Sequence, residues 1–199
     1  MEILNPSLLQ TISELESELD LIDVARKLEL EKLASNLRVT GLQKLIFVCT
    51  HNSRRSQLAE IWVNQLSQIW QMDLQAFSAG SESTAFNNRM VKALRDTGFN
   101  IGLVEDGDNP IYQLNELSHL YYSKSIGHEQ LPKEEFAAVM VCSDADKNCP
   151  IIPGVDHRVA IKYEDPKAFD GTELETKAYA DKVREIGREM IFLLRKLSS

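Results

Sequence analysis

The chain opens on a long helical pattern. Positions 7 to 38 contain neither Gly nor Pro, and Leu8, Leu9, Ile12, Leu15, Leu19, Ile22, Val24, Ala25, Leu28, Leu33 and Leu37 recur at roughly helical spacing. Asp20 and Asp23 are residues that can restart a helix, so the spacing predicts two helices with a bend between Ser17 and Asp20. An apolar stripe of this length has to be covered. The cover is the rest of this chain, a second copy in a homodimer through these helices, or a different protein.

From Lys44 the pattern changes. Apolar runs that read as strands at 44–49, 74–78, 136–142 and 157–161 are interleaved with helical segments at 55–70, 87–97 and 172–197. Such alternation predicts a parallel sheet with helices on both faces, whose ligands bind at the carboxyl ends of the strands. Residues 100–135 are harder to read, because Gly102, Gly107, Pro110, Gly127 and Pro132 break them into short pieces. The organisation is therefore an N-terminal helical extension, residues 1–42, followed by an α/β domain, residues 43–199. At 199 residues the chain suits one domain of roughly 150 residues plus an appendage.

Composition narrows the function classes. A net charge of −8 disfavours nucleic acid or an anionic membrane surface as partner, since each needs a positive face. No apolar run approaches the roughly 18 to 20 residues that span a bilayer, and a start carrying Glu2 is not a signal peptide. Three cysteines, an odd number, make a structural disulfide framework improbable and place the chain in a reducing cytoplasm. The cysteines are then for chemistry or for packing.

The first of them sits in Leu45-Ile-Phe-Val-Cys49-Thr-His-Asn-Ser-Arg-Arg55-Ser56, at the end of an apolar strand and just ahead of a helix. A thiolate is the reactive form of cysteine, so a nucleophilic Cys49 needs an environment that favours an anion. The segment from Thr50 through His51, Asn52, Ser53, Arg54 and Arg55 to Ser56 provides one. Successive backbone N–H groups can curl around an anion, the helix presents its positive end, and Arg55 offers a planar fork of donors. Asn52 tolerates a left-handed turn, and Ser53 and Ser56 carry hydroxyls that can bond the sulfur or shape the loop. The plain alternative is an inert core cysteine.

Cys142 and Cys149 flank a polar stretch, Ser-Asp-Ala-Asp-Lys-Asn, after the third apolar run. A disulfide needs Cα atoms within about 7 Å, so the two sulfurs meet only if that stretch rearranges. The pair reads as a redox switch or as incidental thiols; a metal site lacks further ligands to complete it. Downstream, Tyr163-Glu164-Asp165-Pro166 puts an acid in a loop after an apolar strand. Asp165 can donate a proton to a leaving oxygen, and a facing thiolate would raise its pKa. The alternative for Asp165 is a turn residue or helix cap.

Taken together, Cys49-x5-Arg55-Ser56 and Asp165-Pro166 resemble the low-molecular-weight protein tyrosine phosphatase family over about residues 44–199. Cys142-Ser-Asp-Ala-Asp-Lys-Asn-Cys149-Pro150 and Gln57-Leu58-Ala59-Glu60 are similar to the thioredoxin-coupled arsenate reductases that share that fold. The resemblance implies a three-layer sandwich around a central four-stranded parallel sheet. It implies that Cys49 attacks arsenate, that Arg55 and the loop hold the oxyanion, and that Asp165 protonates the leaving hydroxide. Cys142 would then attack Cys49 to release arsenite, and Cys149 would attack Cys142, leaving a disulfide for thioredoxin and requiring no bound cofactor. A potassium ion near Asn52, Glu60 and Ser78 matches part of a pattern found in some reductases. This chain departs in carrying His51 where those families have Gly, and Arg54 where many have a second cysteine. The competing activity is hydrolysis of phosphotyrosine or a small phosphoester through a Cys49 phosphocysteine, and a third reading is a binding module that captures an anion.

Overall fold

The computed structural model describes residues 5–115, 117–148 and 152–198. In chain order the elements are α1 (Pro6–Ser17), α2 (Val24–Thr40), β1 (Lys44–Cys49), α3 (Arg55–Ile69), β2 (Gln75–Gly80), α4 (Asn88–Asp96), β3 (Ile101–Glu105), β4 (Ile111–Leu114), β5 (Leu120–Tyr121), β6 (Phe136–Met140), α5 (Ser143–Asn148), β7 (Val155–Ala160) and α6 (Glu175–Leu197). The central sheet has four strands in the order β2-β1-β6-β7, every neighbouring pair parallel. With its helices it makes the three-layer α/β sandwich expected from the sequence. β1 and β6 are buried along nearly their whole length, which is why they read as unbroken apolar runs.

This strand order places the site. After β1 the chain crosses to β2 on one side, and after β6 it crosses to β7 on the other, so the loops leaving β1 and β6 diverge at a topological switch point. Cys49 ends β1. β6 stops at Met140, two residues short of the expected strand, so Cys142 lies in the bend that leads into α5. The predicted strand at 157–161 begins earlier, at Val155, and the last helix later, at Glu175. The unreadable stretch holds a second sheet, antiparallel, in the order β3-β4-β5.

The N-terminal helices form as the spacing predicts. α1 ends at Ser17, a 3₁₀ turn occupies Leu19–Leu21, and Asp23 caps α2 by accepting from the Ala25 N–H at 2.8 Å. Their cover is α6 of the same chain, and Leu8, Ile12, Leu15, Ile22, Leu30, Leu33 and Leu37 join the core that also contains the sheet. Leu9, Val24 and Leu28 face solvent. Among the described residues no helix is long and apolar enough to cross a membrane.

α6 meets α3 at Gly187, where an added Cβ would stand 2.5 Å from the Trp62 ring. That ring is fully buried and its indole N–H donates to the Val183 carbonyl at 3.0 Å, so it cannot retreat. Gly187→Ala is expected to lower the unfolding free energy by about 2 kcal/mol, overpacking outweighing the helix propensity gained. Urea unfolding measures it, and an unchanged midpoint would mean that the two helices can part without cost.

A buried polar group joins α2 to α6. The Tyr163 hydroxyl donates to Glu189 at 2.7 Å, and the Arg26 guanidinium lies 3.4 Å from the other carboxylate oxygen. Burial pushes Glu189 up to about 7, against the pull of Arg26 and Tyr163. A raised carboxyl favours the folded state only while neutral, so its contribution is complete below the ordinary 4.5 and is lost as pH rises to about 7. Glu189→Gln is therefore expected to lose less stability than the parent between pH 5 and pH 8, by about 2 kcal/mol. Denaturant unfolding at the two pH values tests this, and parallel losses would refute it.

Candidate active site

The loop from Cys49 to Arg55 is held from outside by its carbonyls. The carbonyl of Cys49 accepts from the Ser81 N–H at 3.2 Å, that of Thr50 from the Glu82 N–H at 2.8 Å and that of Ser53 from the Asn87 N–H at 2.9 Å. The His51 carbonyl takes the hydroxyls of Thr84 and Ser123, and that of Asn52 the Gln57 amide. Tying the carbonyls outward turns the N–H groups of residues 50–55 inward, and none of them has a protein acceptor among the described residues. A row of such donors at the start of a fifteen-residue helix is an anion cradle.

Asn52 supplies the turn. It is fully buried with φ +46°, the left-handed conformation its residue type tolerates. Its side-chain amide donates to Ser56 at 2.9 Å and Ser78 at 2.8 Å, and its oxygen accepts from the Lys124 N–H at 2.7 Å. His51 needs no positive φ, and its ring sits at the rim, 3.6 Å from Glu82. Gly80, which the sequence did not single out, backs the loop: a Cβ there would meet the Glu82 carbonyl at 2.3 Å and the Asn52 nitrogen at 2.8 Å. Its only sequence signal is a glycine at the end of the strand beside the cysteine strand.

The Cys49 sulfur is buried and lies 3.1 Å from the Ser56 hydroxyl. Together with His51, Ser53, Arg54, Arg55 and Asp165 it lines a small cavity. Asp165 is gripped by both arginines. Arg54 donates to its two oxygens at 2.8 and 3.2 Å, and Arg55 donates to one of them at 2.8 Å. The second Arg55 fork donates to the Tyr163 carbonyl at 2.9 Å. Asp165 also caps the 3₁₀ turn Pro166–Phe169, so acid and cap are the same residue.

This geometry corrects one expectation. Burial disfavours the Asp165 carboxylate, but the Arg54 hydrogen bonds and the Arg55 charge outweigh it and hold the pKa below the ordinary 3.8. A facing thiolate alone, the one neighbour the sequence suggests, would have moved it in the opposite direction. Two adjacent arginines closing on one carboxylate were not legible from the linear order.

Cys142 comes to the same place. Its sulfur is buried, lies 3.5 Å from the hydroxyl of Thr50, the residue after Cys49, and accepts from the Ala145 N–H at 3.3 Å. Cys149 lies outside the described residues. α5, between the two, is tethered through Asp146, which meets Lys162 at 2.7 Å and the Arg158 guanidinium through its backbone carbonyl, also at 2.7 Å.

Asn52, Ser78 and Glu60 do adjoin one another, but as a chain of donors and acceptors. The Asn52 amide donates to Ser78, whose hydroxyl donates to Glu60 at 2.5 Å, while the Asn52 oxygen is taken by Lys124 and Gln57. Burial raises the Glu60 pKa, offset in part by the positive charge of buried Lys124 and by Ser78. The three residues matched to a potassium pattern are thus neighbours in the fold, joined by this hydrogen-bonded chain.

The chain is similar to proteins of known family and fold. The family model for low molecular weight phosphotyrosine protein phosphatase matches residues 44–105. Arsenate reductase of Bacillus subtilis (strain 168) is 32% identical over 148 residues, covering 73% of this chain and 91% of that protein. Arsenate reductase of Staphylococcus aureus (strain Newman) is 30% identical over 132 residues, covering 66% and 84%. Among solved structures, a low molecular weight phosphotyrosine phosphatase from Vibrio cholerae O395 superposes with a TM-score of 0.57 at 14% identity, covering 79% of this chain and 97% of the other. The low molecular weight protein tyrosine phosphatase from T. tengcongensis gives 0.54 at 20% identity, covering 78% and 99%. At such identities the structural likeness is one of fold.

Proposed function

This chain belongs to the low-molecular-weight phosphotyrosine protein phosphatase family, and from that premise we propose that it is an arsenate reductase, working through Cys49, Cys142 and Cys149 and regenerated by thioredoxin. The observation that carries the reading is the placement of Cys142, whose sulfur reaches the residue next to Cys49 at the sheet's switch point. Hydrolysis of a phosphoester has no use for a second thiol there. The curated relatives, named as arsenate reductases, support the same substrate.

Arsenate enters the cradle and Arg55 turns one fork from Asp165 onto the oxyanion, keeping the other on the Tyr163 carbonyl. Cys49 gives its thiol proton to the Asp165 carboxylate that Arg55 has released, and the thiolate forms a bond to arsenic while an oxygen departs as water, taking that proton from Asp165. Cys142 attacks the Cys49 sulfur, the sulfur–arsenic bond breaks, and arsenic leaves with the electron pair as arsenite. Cys149 then attacks Cys142 and frees Cys49. In sum, one dihydrogen arsenate ion and two thiols give one dihydrogen arsenite ion, one water and a disulfide, which thioredoxin reduces by exchange. This reading asks the segment between Cys142 and Cys149 to rearrange, a movement that would break the Asp146 tether of α5 to Lys162.

The test is arsenate-dependent NADPH oxidation with thioredoxin and thioredoxin reductase, in the parent and in Cys142→Ser and Cys149→Ser. The reading expects both substitutions to abolish sustained turnover. Arsenate turnover absent from the parent, with aryl phosphate hydrolysed at full rate in both variants, would make the protein a phosphatase.

A further inference from the structure

Arg26 sits on the N-terminal extension, outside every segment that the proposed chemistry uses, yet its guanidinium ends against the segment that carries Asp165. One fork donates to the Lys162 carbonyl at 2.5 Å, the plane lies over the Tyr163 ring at 5.3 Å, and the Nε faces Glu189 at 3.4 Å. The other fork meets Glu29 at 2.8 Å. Tyr163 is itself a junction. Its N–H donates to the Val141 carbonyl at 3.1 Å, beside Cys142; its carbonyl accepts the Arg55 fork at 2.9 Å; its hydroxyl is held by Glu189. Asp165 follows two residues later.

We propose that Arg26 is a positioning residue for the oxyanion site: by clamping Lys162 and Tyr163 from α2 it sets where the Tyr163 carbonyl aims Arg55 and where Asp165 stands. The N-terminal extension thus acts on the chemistry as well as on the core. This inference rests on the proposed reading of Cys49 and Arg55 as an oxyanion site. Four contacts converge on one guanidinium, and lysine could make only part of them, being a point charge without a planar fork. The Tyr163 carbonyl is the pivot that Arg55 keeps while its other fork changes partner, so a shift of Tyr163 misaims the fork directly. Misplacement of a positioning group by as little as 1 Å can cost a hundredfold.

The charge facing this junction strengthens with pH. Glu189 meets Arg26 from α2, Tyr163 from the segment after β7, and Glu185 and Arg188 along its own helix. As Glu189 ionises near 7, Arg26 gains a charged partner and the clamp tightens.

The experiment reads the oxyanion site without relying on turnover. Inorganic phosphate should protect Cys49 from iodoacetamide, with the modified residue identified by mass spectrometry. In Arg26→Ala the phosphate concentration that protects by half is expected to rise on the order of tenfold, and in Arg26→Lys by less. Protection unchanged in Arg26→Ala, with only the melting temperature lowered, would overturn the inference and leave Arg26 a purely structural residue. Should Arg26→Ala fail to fold, Arg26→Lys keeps the charge but removes the planar fork that clamps the Lys162 carbonyl and is expected to weaken protection about threefold; unchanged protection there overturns the inference equally. A parent that phosphate does not protect would overturn the oxyanion reading and this inference with it, whereas arsenate inactivity with intact protection would strike the proposed function alone.

Discussion

Cys49→Ser is expected to leave no measurable turnover of arsenate and none of an aryl phosphate, a loss of at least about 10⁴-fold. A serine hydroxyl in the same place is not ionised at neutral pH, and it can neither attack arsenic nor form the disulfide by which arsenite would leave. The cradle, however, belongs to the backbone and to Arg55. Its carbonyls stay tied to Ser81, Glu82 and Asn87, and Asn52 keeps its turn, so the variant should still bind phosphate with an affinity near that of the parent. Isothermal titration with phosphate, beside the two activity assays, separates these effects. Turnover that survived the substitution would move the nucleophile elsewhere. Loss of phosphate binding together with activity would mean that the sulfur, and not the loop, holds the anion.

Asp165→Asn should lower turnover by about 10² to 10³-fold, within the range typical of a general acid. Its effect on binding should run the other way. Asp165 accepts one Arg55 fork at 2.8 Å, and the amide that replaces it would hold that arginine less strongly, freeing it for the oxyanion. Half-protection of Cys49 by phosphate is therefore expected at an equal or lower concentration while kcat falls. The pH dependence follows from the depressed pKa. The carboxylate's ion pair stabilises the fold above its ordinary value near 3.8 and loses that contribution as pH falls through its lower folded value, so Asp165→Asn should be less stable than the parent at neutral pH and closer to it in acid. An unchanged kcat in Asp165→Asn would reduce Asp165 to a clamp for the two arginines.

Arg54 gives the aspartate a second keeper. When Arg55 turns to the oxyanion, Arg54 still spans both carboxylate oxygens, so Asp165 stays at its station beside the cavity. That role could not be read from Arg54 in the chain, where it stood only as one residue of the loop at a place where many members of the resembled families have a second cysteine. The partner lies 111 residues away, and only the path of the β7 loop brings it there.

The loop after β1 was legible because its geometry is local. Backbone donors, the tolerant Asn52, the Ser56 hydroxyl and the start of a helix all lie within eight residues of Cys49, and local geometry follows from local sequence. The central strands were legible for a similar reason, since burial on both faces writes itself as an apolar run. The antiparallel strands between Ile101 and Tyr121 were not. β5 has two residues, and β3 exposes Leu103 and Val104, so neither length nor alternation marks them.

Helices at residues 7–38, a parallel sheet, a cysteine at the end of its first strand and two more cysteines further on were thus determined by the sequence by itself, through periodicity and residue chemistry. Which surface covers those helices, how the Asp165 carboxyl titrates, whether Cys142 reaches the loop, and that Arg26 touches the acid segment were decided only in the tertiary structure. Each depends on groups far apart in the chain meeting at one point, where burial and opposing charges compete, and a linear pattern holds neither distance nor dielectric.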